Sequence, residues 1–162
     1  MKIGVISDTH IPDRALEIPK KVLEDFSHVD IVVHAGDLVD MSVIKKLKEV
    51  CPDVRAVWGN MDPDEVRSAL REKEIITVGK HRIGVMHGYG SPSNLIDVLT
   101  AAFKKDNVDV IIYGHAHAAV NEKRGGVLFF NPGSATDQAF ANYTSYGILE
   151  VNDKVEARII KI

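Results

Sequence analysis

The chain lacks the features that define several large classes of protein. It has a single cysteine, Cys51, so neither an internal disulfide nor a thiolate metal cluster can form. No apolar run approaches the roughly 18 residues of a membrane-spanning helix, and the first residues show no signal-peptide pattern. The 20 basic residues do not exceed the 23 acidic ones and form no block, which argues against extended nucleic acid as a partner. We therefore expect a cytoplasmic protein that binds neither a membrane nor extended nucleic acid.

What is present predicts one α/β domain over residues 1–162. This length can bury a sizeable core, and no linker, repeat or low-complexity tract divides it. Short apolar runs rich in β-branched residues predict buried strands, and stretches with helical features lie between most of them. The strands are expected at 2–7, 30–35, 54–58, 82–86 and 109–113, and the helices at 18–26, 41–50, 63–71 and 92–105.

Three further segments predict β-hairpins. Their turns fall at 79–80, 124–126 and 152–153, each between two strand-like runs. The last third of the chain is therefore rich in strands, and the pattern predicts two mixed β-sheets packed face to face with helices outside. A sheet edge left by this segment would suit a homo-oligomer.

Several polar residues have a structural interpretation. Asp40 and Asp62 precede predicted helices and are expected as N-caps, with Glu65 completing a capping box after Asp62. His34 lies within a predicted strand, so we expect it to be buried and hydrogen-bonded, either in the core or behind a ligand.

Side chains able to bind a metal follow each of the five predicted strands. Strands joined through helices place their carboxyl ends on one edge of a sheet, which is where ligand sites form in α/β folds. The sequence therefore predicts that these side chains converge on one metal site. The predicted ligands are Asp8, His10, Asp37, Asn60, His87, His115 and His117.

The number and type of these residues favour two metal ions. Oxygen and nitrogen donors of this kind suit manganese, iron, zinc, nickel or cobalt. Seven ligands exceed the four of a structural zinc site but would suffice for two ions that share a carboxylate, an arrangement used to hydrolyse phosphate esters. Because only Asp8 and Asp37 bring negative charge, a site with two divalent ions would be net positive and would attract an anionic phosphate.

Five short motifs occur in order along the chain. They are DTH at 8–10, GD at 36–37, GN at 59–60, HG at 87–88 and GHAH at 114–117. Together they resemble the blocks of the calcineurin-like metallophosphoesterase superfamily. The short chain and the NPGS segment at 131–134 are similar to its small phosphodiesterase branch, which also contains the scaffold subunit of the retromer complex.

The resemblance implies a four-layer αββα sandwich and a metal-dependent phosphodiesterase with two divalent ions, manganese first among the candidates. A hydroxide bridging the ions would attack the phosphorus of a small phosphate ester in line, without any other cofactor. Asp37 would bridge the two ions, and Asn60, His87 and Asp37 would be the catalytic residues. The first ion would be bound by Asp8, His10 and His117, and the second by Asn60, His87 and His115.

One position departs from the family pattern. Many larger relatives have a histidine after the GN block that assists the leaving group, whereas this chain has Met61. A thioether cannot donate a proton, which favours diesters with good leaving groups. The alternatives are a protein-interaction scaffold of the retromer type, whose metal site is degraded, and a phosphomonoesterase.

Overall fold

The computed structural model describes all 162 residues as two five-stranded sheets with a few short helices. The helices are α1 (Lys20–Phe26), α2 (Ser42–Lys48), α3 (Asp64–Ala69) and α4 (Leu95–Ala102), the last preceded by a 3₁₀ turn at Pro92–Asn94. The strands are β1 (Lys2–Ile6), β2 (Ile31–His34), β3 (Val54–Ala56), β4 (Lys73–Val78), β5 (His81–Met86), β6 (Val110–Ile112), β7 (Val120–Arg124), β8 (Val127–Asn131), β9 (Ser145–Val151) and β10 (Val155–Lys161).

Both sheets are mixed, as the sequence predicts. The first has the order β10-β9-β1-β2-β3, and the second has the order β4-β5-β6-β8-β7. In the first sheet β1, β2 and β3 run parallel, and in the second β5, β6 and β8 do. The register pairs Ile6 with His34 and His34 with Ala56, so the three parallel strands of the first sheet end side by side.

Buried apolar side chains form three clusters. Val5, Val33, Val85, Ile112 and Phe130 belong to one buried cluster contributed by both sheets, which places the central core between them. A second cluster joins the other face of the first sheet to α1, α2 and α3, and a third joins the second sheet to α4. The resulting order of layers is the predicted αββα sandwich. None of the helices combines the length and the apolar character needed to cross a membrane.

The three predicted hairpins are present and share one end of the molecule. They join β4 to β5, β7 to β8 and β9 to β10. Their turns lie beside the amino ends of the parallel strands, because β5 and β8 start there and β9 runs antiparallel to β1. The carboxyl ends of the parallel strands are left at the opposite end of the sandwich.

Neither predicted helix cap is the N-cap of its helix. The N-cap of α2 is Met41, although the carboxylate of Asp40 accepts a hydrogen bond from the amide of Ser42, the first residue of α2, at 2.7 Å. The cap at Asp62 and the capping box with Glu65 are wrong, because α3 follows Pro63 and has no side-chain cap. Asp62 is buried and its carboxylate accepts three amides, two from the loop after β2 and one, that of Gly59, from its own loop.

Candidate metal centre

The seven predicted ligands lie together beyond the carboxyl ends of five parallel strands. Each follows its strand by a few residues: Asp8 and His10 follow β1, Asp37 follows β2, Asn60 follows β3, His87 follows β5, and His115 and His117 follow β6. The first sheet therefore contributes four of these side chains and the second contributes three.

One group of donors surrounds the pair His10 and His117. Their Nε2 atoms are 3.2 Å apart, and Nε2 of His117 is 3.3 Å from Oδ1 of Asp8. Nε2 of His10 is 4.0 Å from the same oxygen. Three side chains from two sheets thus point donor atoms at one small volume.

A second group surrounds His87. Its Nε2 is 3.3 Å from Oδ2 of Asp37 and 3.2 Å from Oδ1 of Asn60. The same Asn60 oxygen is 2.8 Å from Nδ1 of His115. Oδ2 of Asp37 also lies 3.8 Å from Nε2 of His10, so the two groups adjoin through Asp37.

The donor chemistry of these groups fits divalent metal ions. Ligand atoms of Asp8, His10 and His117 all lie within 4.8 Å of one another, and so do those of Asp8, Asp37 and His87. Carboxylate oxygens and imidazole nitrogens are ligands of manganese, zinc, iron, nickel and cobalt. Carboxylates packed this closely repel one another unless a cation lies between them.

For two of the histidines, a backbone carbonyl determines which ring nitrogen carries the proton. A carbonyl only accepts, so Nδ1 of His87 donates to the oxygen of Ala35 at 2.7 Å, and Nε2 of His115 donates to that of Gly90 at 2.8 Å. When a ring gives up its second proton to become neutral, its other nitrogen carries a lone pair that faces the site. These two hydrogen bonds fix the tautomer that a metal ligand needs.

The loops that hold the ligands adopt an uncommon backbone conformation. Positive φ angles of 43–69° occur at Asp8, His10, Asp37, His115 and His117, a range that residues other than glycine rarely adopt. Glycine is required beside them because space is short: a Cβ at Gly59 would overlap the Asp37 carboxylate, and one at Gly114 would overlap the Ser7 hydroxyl. The site is thus built by close backbone approach.

Asp62 supports the loops, a role that the sequence analysis missed. Its Oδ2 accepts the amides of Asp37 at 3.0 Å and Gly59 at 2.7 Å, and its Oδ1 accepts that of Val39 at 2.6 Å. Arg67 donates to the carbonyls of Asn60 and Asp62 from the other side. Burial raises the pKa of Asp62, although these amides oppose the shift. One side chain therefore joins the loops after β2 and β3.

Asp137 is a second residue that the sequence analysis missed. It is 1% exposed, and its Oδ2 lies 2.9 Å from Nδ1 of His117. It belongs to the loop after β8, which is the sixth parallel strand to end at this edge. The sequence signal was available, because polar residues follow the apolar run that forms β8, as they follow the other strands.

Burial and mutual charge shift the pKa values of the central groups. Burial alone would raise the pKa of Asp8, but His117 and His87 hold it below its usual value. Burial alone would lower the pKa of His87, but the hydrogen bond to Asp37 and the charges of both aspartates raise it to about 9. The hydrogen bond to Asp8 likewise raises the pKa of His117. Protons therefore compete with a metal at these rings, and a metal should bind more tightly as pH rises.

Two other predicted features can be located. His34 is fully buried, with Nε2 3.0 Å from Thr9 Oγ1 and Nδ1 accepting the amide of Gly36 at 3.2 Å, as expected for a hydrogen-bonded histidine. Met61 lies in the loop after β3 and is 59% exposed.

Known proteins are similar to this chain in sequence and in fold. The chain is 41% identical to a "probable metallophosphoesterase" of Methanocaldococcus jannaschii, over 100% of this chain and 82% of that protein. It is 31% identical to a phosphodiesterase of the same organism, over 99% of each. Its fold is similar to the crystal structure of Chaetomium thermophilum Vps29, with a TM-score of 0.82, 27% identity and coverage of 100% and 97%.

The family model described as the calcineurin-like phosphoesterase superfamily domain matches residues 1–154. This match covers every predicted ligand and both supporting aspartates. The chain belongs to the calcineurin-like phosphoesterase superfamily.

Proposed function

We propose that this protein is a metal-dependent phosphodiesterase whose active site holds two divalent ions. The observation that carries the proposal is the convergence of seven donor side chains from the ends of five strands, arranged in two adjoining groups. A structural metal site would need about four of them. Two ions that share a carboxylate suit phosphoryl hydrolysis.

The geometry supports a division of the ligands between the ions. We assign the first ion to Asp8, His10 and His117 and the second to Asn60, His87 and His115, with Asp37 as the bridge. Asp37 suits that role because its Oδ1 already accepts the amide of Met61 at 2.7 Å, while its Oδ2 faces His87 on one side and His10 on the other.

The side chains around the ions would bind and orient the ester. When bound, the ions supply Lewis acidity and lower the pKa of a coordinated water. Asn60 turns its Oδ1 toward His87 and His115, which leaves its amide NH₂ free to donate to a phosphoryl oxygen. The carbonyls of Ala35 and Gly90 keep the rings of His87 and His115 in orientation throughout.

The identity of residue 61 favours a diester substrate. The exposed thioether of Met61 offers no proton to a leaving group, so esters whose leaving groups need little protonation should react best. The phosphodiesterase relative supports the same assignment. A cavity of about 250 Å³ adjoins Asn60 and His87 and is lined by Trp58, Arg67 and Tyr89, which suits one ester group of a small substrate better than extended nucleic acid.

Manganese is our first candidate for the working metal, because oxygen donors are present alongside the histidines. Zinc, iron, nickel and cobalt suit the same donors and would be the substitutes to test. We further propose a cytoplasmic location, consistent with the buried free thiol of Cys51.

The test is a pair of initial rates measured side by side with added Mn²⁺. We expect bis(p-nitrophenyl) phosphate to be hydrolysed faster than p-nitrophenyl phosphate, and chelation with EDTA to stop both reactions. A faster monoester rate would make the protein a phosphomonoesterase and would require another proton donor near Met61.

A protein-interaction scaffold is the second candidate, favoured by the similarity of the fold to Vps29. The full set of donors speaks against it, because a scaffold has no need of seven convergent metal-binding side chains. Absence of turnover with either ester, under all five candidate metals, would favour the scaffold.

A further inference from the structure

Asp137 places a buried carboxylate directly behind His117. Its Oδ1 accepts the amides of Ala139 at 2.8 Å and Phe140 at 3.1 Å. Its Oδ2 lies 2.9 Å from Nδ1 of His117, an ion-pair distance whose alignment falls short of a hydrogen bond, and neither atom has a hydrogen-bond partner elsewhere. A carboxylate is expensive to bury with so few partners, so this contact is the feature of Asp137 that needs an explanation.

The position of Asp137 is fixed relative to the other ligands. The hydroxyl of Ser134 donates to the carbonyl of Asp8 at 2.7 Å and accepts the amide of Asp137 at 2.9 Å. Thr136 donates to the carbonyl of Thr9 at 2.8 Å. The loop that carries Asp137 is therefore attached to the loop that carries Asp8 and His10, so the carboxylate cannot move independently of them.

The two nitrogens of His117 face different groups. Nε2 lies beside Asp8 and His10, whereas Nδ1 lies beside the carboxylate of Asp137. His87 and His115 show the same division, but the group behind each of them is a neutral backbone carbonyl. His117 differs from these two because the group behind it is a charged side chain, which makes a ring nitrogen a better donor to a metal.

We propose that Asp137 is a positioning residue of the metal centre. Its carboxylate keeps the proton on Nδ1 of His117, so that the lone pair on Nε2 is directed at the first ion. This inference rests on the proposed function, since it assigns a role within the same metal site. We assign no ion to Asp137 itself, because it belongs to neither group of converging donor atoms.

Two substitutions of Asp137 separate positioning from simple structural support. In Asp137→Asn the amide oxygen can still accept the amides of Ala139 and Phe140, so the loop is retained. The NH₂ group then faces Nδ1 of His117 and donates to it, which forces the proton onto Nε2 and blocks the metal. In Asp137→Ala the loop loses its acceptor, but the ring is free to adopt either tautomer.

The two variants should rank in opposite order by Mn²⁺ affinity and by thermal stability. Mn²⁺ affinity, measured by competition with a chelating dye, should fall about 10- to 100-fold in Asp137→Asn and less in Asp137→Ala. Thermal unfolding in EDTA should show Asp137→Asn close to wild type and Asp137→Ala about 2–4 °C lower. Gln138→Ala, at an exposed neighbour in the same loop, is the matched control and should change neither value.

Nitrogen NMR of the metal-free protein gives a readout that needs neither turnover nor metal. At alkaline pH the ring of His117 should carry its proton on Nδ1 in the wild type and on Nε2 in Asp137→Asn. Equal Mn²⁺ affinity of wild type and Asp137→Asn, or affinities that simply follow stability in EDTA, would overturn the inference alone. Failure of the wild type to bind Mn²⁺ or any other candidate metal would overturn the proposed function and the inference with it.

Discussion

The two ends of the sandwich use the same backbone conformation for different purposes. At the hairpin end, Gly79, Gly125 and Gly126 have positive φ angles, and a Cβ added at any of them would meet no atom within 4 Å. At the opposite end positive φ angles occur at glycines too, but they also fall on five of the aspartate and histidine ligands. Left-handed geometry costs a residue with a Cβ about 1–2 kcal/mol, a penalty that glycine avoids.

The difference shows where tertiary hydrogen bonds override the backbone preference of the residues. The hairpin turns contain the residues that their geometry favours, so they need little support from elsewhere. The ligand loops contain residues that disfavour their geometry and are held by tertiary hydrogen bonds, above all those of Asp62 and Ser134. Local strain with external support is a common signature of a functional site.

Catalysis should distinguish the two ends most strongly. Asp37→Ala and His117→Ala should abolish hydrolysis of the aryl diester, a larger loss than the about 100-fold typical of a residue behind a ligand. The control at the hairpin end is His81→Ala, which removes a histidine whose Nε2 contacts the carbonyl of Asp153 at 3.3 Å. Steady-state rates with Mn²⁺ give the comparison, and a His117 variant with wild-type kcat would contradict the metal centre.

Stability should depend on one carboxylate at the ligand end. Asp62→Ala leaves three amides without an acceptor, two of them fully enclosed, and we expect it to lower the free energy of unfolding by about 3 kcal/mol or more. Asp153→Ala, at the exposed hairpin turn, should change it by less than about 0.5 kcal/mol. Urea unfolding in EDTA measures both. Similar effects of the two substitutions would show that the loops need no such support.

Lowering the pH should reduce the free energy of unfolding through His34, which is buried at the end of the sandwich that carries the ligands. Burial lowers the pKa of His34 to about 4, from 6.5 in the unfolded chain, because the charged form of the ring loses its hydration in the interior. Between these values the unfolded state binds more protons, so stability is lost as pH falls, by about 2 kcal/mol from pH 7 to pH 5. His34→Gln should remove this component when both proteins are unfolded in EDTA. Parallel pH profiles would exclude His34 as the source.

The smallest expected effect is the cost of a positive φ angle at a residue that has a Cβ. His115→Gly and His115→Ala remove the same contacts, but only alanine keeps the left-handed penalty, so the glycine variant should be more stable by about 1 kcal/mol. Gly79→Ala at the hairpin end should be destabilised by a similar amount, since nothing but its φ of 58° opposes the new methyl group. Urea unfolding in EDTA again measures both. Equal stability of the two His115 variants would mean that the ligand loops are not strained.

The cluster of ligands at the strand ends could be predicted because both the residue types and the connections between the strands are visible in the sequence. A buried strand followed by a carboxylate or histidine is visible in sequence, and connection through helices places such residues on one edge. Asp8, Asp37 and His87 do lie at the same edge, and the two mixed sheets and the three hairpin turns are also present as predicted.

The supporting residues were missed because the partners that define their roles are distant in sequence. Asp62 has the local pattern of a helix cap, and only the approach of the loop after β2, 23 to 25 residues away, gives its carboxylate better donors. Asp137 was missed because β8 was interpreted as the second strand of a hairpin. That interpretation is correct for its pairing with β7 but overlooks its parallel pairing with β6.

Each proposed ion would take ligands from both sheets. His10 and His117, for example, are 107 residues apart and belong to different layers. A bound ion would then connect the layers at the end of the sandwich that has no hairpins, and the layers could not separate there until the ion left. Metal loading would consequently slow unfolding and lengthen the lifetime of the folded protein, in addition to shifting the equilibrium toward the folded chain.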